Sequence, residues 1–414
     1  MPSIDKKVFG TLFFSVFATI TGVGIVVPFL PVYAHSLGAG GFAIGLIFGA
    51  FSISRTFFLP YFGRLSDLKG RKPFITTGLL LYTLIAFVFI WADTVPVLII
   101  VRFLQGIASA MIMPVVQAYV GDITPKGREG AVMGLFNVSV FAGLSLGPLM
   151  GGILSDHMGL AATFATMGVL SLVGFFLSWM ALPPTKEERI PARSTPPAAL
   201  RQIITDPLVL RLAGFRMAYT AAIGIIWGFL PVLGSVQLGF SSTTVGILVM
   251  EGVLVSGLLH MPMGYLADRV HRRKMMIVGG LLVILAMAAL IWATTFWHFF
   301  WANLIFGVGG GISMPALMAL TVVKGDQDNA MGSVMALMVM AHSFGMMLGA
   351  MTAGIMMDFI SLRQAFFLGM LFMAIMTAWV ICSPKPFKNI GGSLADVFPK
   401  AAPKPPLPLG DEPR

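Results

Sequence analysis

Apolar runs long enough to cross a bilayer recur along the chain from Val8 to Ser383, and no other feature limits its fold so strongly. A helix needs ~20 such residues to cross a hydrocarbon core, and only helices or closed barrels satisfy their backbone polar groups there. Breaks at charged or Gly/Pro-rich stretches give about twelve spans, at 8–34, 42–62, 74–92, 95–118, 131–155, 160–182, 209–235, 243–265, 275–295, 298–322, 332–357 and 364–383. Only 11% of the 414 residues are charged, against roughly 25% in a soluble domain, which excludes a soluble globular enzyme. The expected fold class is an all-α membrane protein of twelve transmembrane helices. Lys6 and Lys7 before the first run imitate a signal peptide. That run passes Tyr33, beyond the roughly 7–15 residues of a signal h-region, and reads as a retained first span.

The 27 Lys and Arg against 17 Asp and Glu give a net charge of +10, which here reports topology rather than nucleic-acid binding. With a cytoplasmic N-terminus, and Arg211 at the cytoplasmic end of its span counted inside, 23 of the 27 basic residues fall at the inside, three lie deeper within spans (Arg55, Arg102, Arg216) and only Arg363 falls outside. The positive-inside rule therefore predicts that both termini are cytoplasmic. A single cysteine, Cys382, and the lack of metal-ligand spacing predict neither disulfide, metal nor cofactor.

An internal repeat organises the chain. Gly24, Phe29, Leu30 and Pro31 recur 200 residues later as Gly224, Phe229, Leu230 and Pro231. Gly45, Gly63, Leu65 and Asp67 recur 201 residues later as Gly246, Gly264, Leu266 and Asp268, and Gly106 and Pro114 as Gly307 and Pro315. Chance similarity between apolar chains would not hold that offset. The expected units are a six-helix bundle over 1–182, a cytoplasmic linker over 183–208, a second six-helix bundle over 209–383, and a Pro- and Lys-rich tail over 384–414 with little to bury. Because an even number of spans separates equivalent points, the halves share one orientation.

The loop after the second span, Gly63-Arg64-Leu65-Ser66-Asp67-Leu68-Lys69-Gly70-Arg71-Lys72, combines a carboxylate at a helix end, a glycine for a tight reversal and a basic cluster. It resembles the loop between helices two and three of the major facilitator superfamily. The second-half copy, Gly264 to Lys274 with Asp268, is similar but carries His271 where Gly70 stands, so it need not turn or gate the same way. Arg102-Phe103-Leu104-Gln105-Gly106 resembles the family's fourth helix, whose arginine lines the central cavity. In the fifth span, Gly134, Gly143, Gly147-Pro148 and Gly151-Gly152 resemble the motif of the drug:proton antiporter branch. Small residues there let helices approach closely and Pro148 bends the helix. Gly143 to Gly147 also matches G-x-S-x-G, but a mid-membrane helix lacks the strand–turn–helix and base that a serine hydrolase needs. No enzymatic activity is expected.

Ionisable groups within the membrane cost at least ~2.5 kcal/mol each and point to function. Arg55, Arg102, Arg216 and Glu251 qualify, with His342 and His260 beside them. Glu251 is the only acid well inside a span, and a carboxyl group removed from water can change protonation near neutrality, so it is the proton-coupling candidate. Its depth on the eighth span matches Gly147 and Pro148 on the fifth, which the resemblance sets against it. Antiporters of this branch often carry an acid in the first helix, and residues 8–34 have none. Arg55 and His342 form a candidate pair across the halves, while Gln105, Asn137 and Asn303 offer hydrogen bonds to a cavity or act as glue between helices.

The resemblance implies a monomeric carrier in a bacterial inner membrane that exports small amphipathic molecules by alternating access, driven by protons. Two alternatives stay open: a transporter of a specific anionic metabolite, which three intramembrane arginines would suit, and a transport-dead sensor, which would bind but not exchange.

Overall fold

The computed structural model describes residues 5–124, 129–183, 200–328 and 330–382. Most of the 183–208 linker and the 384–414 tail lie outside them. The first span is α1 (Lys6–Val26) with α2 (Leu30–Ser36), broken at Pro28, which lacks the N–H a continuous helix needs. There follow α3 (Gly41–Lys69), α4 (Arg71–Val88), α5 (Val95–Asp122) and α6 (Glu129–Ala181). A short α7 (Leu200–Thr205) leads into α8 (Pro207–Val232), then α9 (Ser242–Ala267), α10 (Arg272–Ile291), α11 (Phe296–Gln327), α12 (Met331–Phe359) and α13 (Leu362–Cys382).

Eleven of these helices are long and apolar enough to cross a membrane. α6 counts twice, because Gly159 adopts φ 79° and breaks its 53 residues into two spans without an intervening loop. An L side chain rarely adopts that conformation, so glycine permits the reversal. The total is the expected twelve, all helical. α3 and α11 outrun their predicted ends, at 62 and 322, since charged residues such as Arg64, Asp67 and Lys324 are compatible with a helix that projects beyond the bilayer.

The repeat is visible in detail. Asp5 caps α1 through the N–H groups of Lys7 and Val8, and Asp206 caps α8 through those of Leu208 and Val209. Burial pushes the Asp206 carboxyl up, but the Lys324 ammonium and both N–H groups outweigh it and hold it below the usual range. That cap is therefore strongest at neutral pH and weakens as the pH falls through the acidic range. Trp91 and Trp292, 201 residues apart and each 72% exposed, follow α4 and α10 at equivalent levels, as interfacial tryptophans do.

Candidate functional site

The halves meet along two seams, α3 against α12 and α6 against α9. Both seams rest on glycine. An added side chain at Gly45 would strike the Ala350 carbonyl 2.7 Å away, and one at Gly152 the Ser242 carbonyl at 2.5 Å. At one end of the bundle each seam is closed by a carboxylate on the opposite helix's N-terminus. Asp358, ending α12, accepts from the N–H groups of Gly41 (2.6 Å) and Phe42 (2.8 Å) at the start of α3. Asp156, on α6, accepts from the N–H groups of Ser242 (2.9 Å) and Thr243 (2.8 Å) and from the Thr243 hydroxyl (2.6 Å) at the start of α9. Unpaired N–H groups and the helix dipole favour a negative charge there. Sequence reasoning, which weighed acids inside spans, missed both. Their signal was legible: two aspartates 202 residues apart at the ends of equivalent spans.

The fifth-span motif divides its contacts between helices. Gly143, Gly147 and Gly151 lie one turn apart and face α1, meeting Thr21, Gly24 and Ile25. Gly152 and the Pro148 carbonyl face α9, at Ser242 and Gly246. An added Cβ at Gly134 would meet nothing within 4 Å among the described residues. Ser145 is buried mid-helix, its hydroxyl without a hydrogen-bond partner among those residues.

Three of the expected cavity residues are buried and bonded to neighbouring helices. Arg102 is 3% exposed, donates to the Ile47 carbonyl (3.4 Å) and to Gln105 Oε1 (2.7 Å), and lies over the Phe51 ring. Gln105 donates in turn to the Tyr82 hydroxyl at 2.8 Å. Asn303, 201 residues after Arg102, donates to the Leu248 carbonyl at 3.4 Å. The two positions serve the same purpose in their halves, binding α5 to α3 and α11 to α9. Asn137 is exposed one turn before Phe141, whose ring packs on Gly257 and His260 of α9.

Arg55, Arg216 and His342 are half-buried on α3, α8 and α12, and both guanidinium groups lie close enough to His342 to act on it electrostatically. His342 bonds Arg216 of its own half at 3.3 Å rather than pairing directly with Arg55. Glu251 is 6% exposed, with neither carboxylate oxygen hydrogen-bonded among the described residues. Gly246 and Gly257 on the same helix face α6, and Glu251 lies ~140° round from Gly246. On α9 it is Gly246 that stands level with Pro148, so Glu251 lies more than a turn beyond the level expected and is turned from the α6 seam.

At the opposite end, the loop after α3 turns at Gly70 (φ 88°), where a left-handed conformation favours glycine. Arg71 ion-pairs with Asp67 and with Asp122 (3.0 Å) and donates to the Ser66 hydroxyl (2.9 Å). In the second half, His271 has φ −58°, and Arg272 lies 3.8 Å from Asp268. Both loops are engaged within their own half, and an added Cβ at Gly63 or Gly264 would meet open space.

Two six-helix repeats of one orientation, packed along two seams and joined at one end by carboxylate caps, have the architecture of a membrane carrier. The family model of the Major Facilitator Superfamily matches residues 12–321 and 216–408. The chain belongs to that superfamily of transporters. It is 30% identical over 373 residues to an uncharacterised MFS-type transporter of Methanocaldococcus jannaschii, covering 88% of this chain and 95% of that one. It is 24% identical to the quinolone resistance protein NorA of Staphylococcus aureus, over 86% and 91% of the two chains. Among solved structures, a bacterial homologue of the human lysosomal transporter Spinster in an inward-facing, unoccupied conformation superposes with a TM-score of 0.80 at 14% identity, over 94% and 99% of the chains. The nucleoside transporter NupG gives 0.77 at 13% identity, over 91% and 99%.

Proposed function

We propose that the chain is a secondary active exporter of small amphipathic molecules, coupled to protons, with both termini in the cytoplasm and the Asp156/Asp358 seal facing outward. The carrying observation is the carboxylate-capped seam: Asp358 and Asp156 tie the halves together at one end, while an added Cβ at Gly63 or Gly264, at the other, would meet nothing within 4 Å. A carrier that works by alternating access would exchange such a closure between its two ends. The likeness to a quinolone resistance protein supports efflux. Counterflow of an amphipathic dye into proteoliposomes tests the reading, and binding without exchange would turn it into a sensor.

Glu251 is the proposed proton site. Burial without a partner ties its charge to whether water or a cation reaches it. From its position beside Gly252, which packs on Asn303, protonation would act on the contact between α9 and α11. Glu251→Gln is expected to retain substrate exchange while substrate-driven proton movement in proteoliposomes disappears; undiminished proton movement removes Glu251 from the mechanism.

Asp67 is the proposed gating carboxylate of the other end. In this state it is about one-third exposed, and Arg71 keeps a second partner in Asp122. Asp67→Asn should therefore cost less than ~1 kcal/mol of stability, yet slow net transport at least fivefold, because the amide makes weaker contacts when that end closes. Unchanged transport would reduce this loop to a topology signal.

A further inference from the structure

Arg55, Arg216 and His342 come from three helices and both halves. The α3–α12 register sets Gly41 against Gly354, Gly45 against Ala350 and Gly49 against Met347. Carried on by little more than a turn, it brings His342 level with Ile53 and Ser54, beside Arg55. Phe48, seven residues before Arg55 and so on nearly the same helical face, lies 4.0 Å from where a Cβ on Gly228 of α8 would stand. That face of α3 therefore looks towards α8, the helix that carries Arg216.

The partners these groups have are poor ones. Arg216 donates to the Met314 sulfur (3.2 Å) and meets His342 Nδ1 (3.3 Å), while its Nε is buried and unpaired. Arg55 makes no hydrogen bond or ion pair among the described residues, and its Nε is likewise buried and unpaired. No carboxylate lies within ion-pairing distance of either guanidinium among those residues. Arginine has only donors, so the nitrogen of His342 that faces Arg216 must accept, which leaves the ring's N–H on Nε2. The cluster thus offers two guanidinium forks and one imidazole N–H, and supplies no anion. Buried cations are retained where something pairs them. Arg102 illustrates the contrast, since a carbonyl, a glutamine and aromatic rings take up its donors.

We propose that Arg55, Arg216 and His342 form a subsite for an acidic group of the cargo, a carboxylate or its equivalent. Resting on the exporter reading, this makes the cargo an amphipathic acid rather than an amphipathic cation or neutral molecule. Because Arg55 belongs to the first half and Arg216 and His342 to the second, a bound anion bridges the two bodies that move. Guanidinium suits this task through its paired, planar donors.

The test uses the purified full chain in lipid nanodiscs and three matched fluorescent probes: dansylglycine (an anion), its methyl ester (neutral) and dansylcadaverine (a cation). The native protein is expected to bind the anion at least about tenfold more tightly than the ester. Arg216→Gln and Arg55→Gln should each weaken anion binding about tenfold or more while changing ester binding less than about twofold. Arg216→Lys should fall between, keeping the charge but losing the fork. Unchanged ester binding establishes that the variants are folded. The proposal is overturned if the ester or the cation binds native protein as tightly as the anion, or if both Gln variants keep the preference for the anion. Probe exchange in proteoliposomes separates the two readings. Exchange of neutral and cationic probes without the anion leaves the carrier and removes the subsite; anion-selective binding without exchange of any probe leaves the subsite and removes the carrier.

Discussion

Replacing both Asp156 and Asp358 by alanine is expected to open the sealed end of the bundle. Each carboxylate binds two backbone N–H groups at the first turn of a helix in the other half, an interaction worth roughly 1–2 kcal/mol. Two of them acting on one equilibrium amount to ~2–4 kcal/mol, a shift of roughly 30- to 1,000-fold in population. Spin labels at the exposed positions Ser36 and Ile360, in a background with Cys382 replaced by serine, should move from a single short distance to a longer one. Each single variant should produce a smaller shift in the same direction, because the seams lie apart and share no residue. A double variant whose distance distribution matches the native one would show that the glycine seams hold the end closed unaided.

A second large effect is expected at Gly147. An added side chain there meets the Gly24 Cα at 2.6 Å and the Thr21 carbonyl at 2.7 Å, both backbone atoms that cannot turn aside. Gly147→Leu therefore forces α1 from α6, and transport should fall at least a hundredfold, with a destabilisation of ~3 kcal/mol or more. Gly147→Ala should already lower the melting temperature. Gly134, thirteen residues earlier in the same motif, has open space around it, so Gly134→Ala should leave both melting temperature and transport unchanged. Equal behaviour of the two alanine variants would remove the packing account of the motif.

What the sequence disclosed depended on how local its physical signal was. Spans, the repeat and the glycine at Gly70 follow from hydropathy, a fixed offset and a turn requirement, each contained in a few neighbouring residues. The division of α6 was legible as well, because Ser155, Asp156 and His157 interrupt the apolar run just before Gly159 makes the reversal. Arg102 and Asn303 illustrate a limit. A buried polar residue in a membrane helix signals a satisfied partner or a ligand, and only the neighbouring helix decides which; here carbonyls of α3 and α9 do. Glu251 is legible as a buried acid, but its direction round α9 depends on which helices pack against that face. Asp156 and Asp358 are legible as a recurrence 202 residues apart at the ends of equivalent spans, but their partners are backbone N–H groups, which no side-chain pattern reveals.

Those partners bear on how the chain reaches its orientation. A seal built from ion pairs would need lysine or arginine at the end proposed to face outward, where Arg363 is the only basic residue and its guanidinium is occupied by the Ile291 and Ala293 carbonyls. Basic residues there would compete with the signal that directs membrane insertion. By setting carboxylates against helix N-termini, the chain obtains a charge-assisted closure without adding a cation to that face. The strength of the closure can then change, by exchange of Asp156 or Asp358, while the instructions for insertion stay as they are.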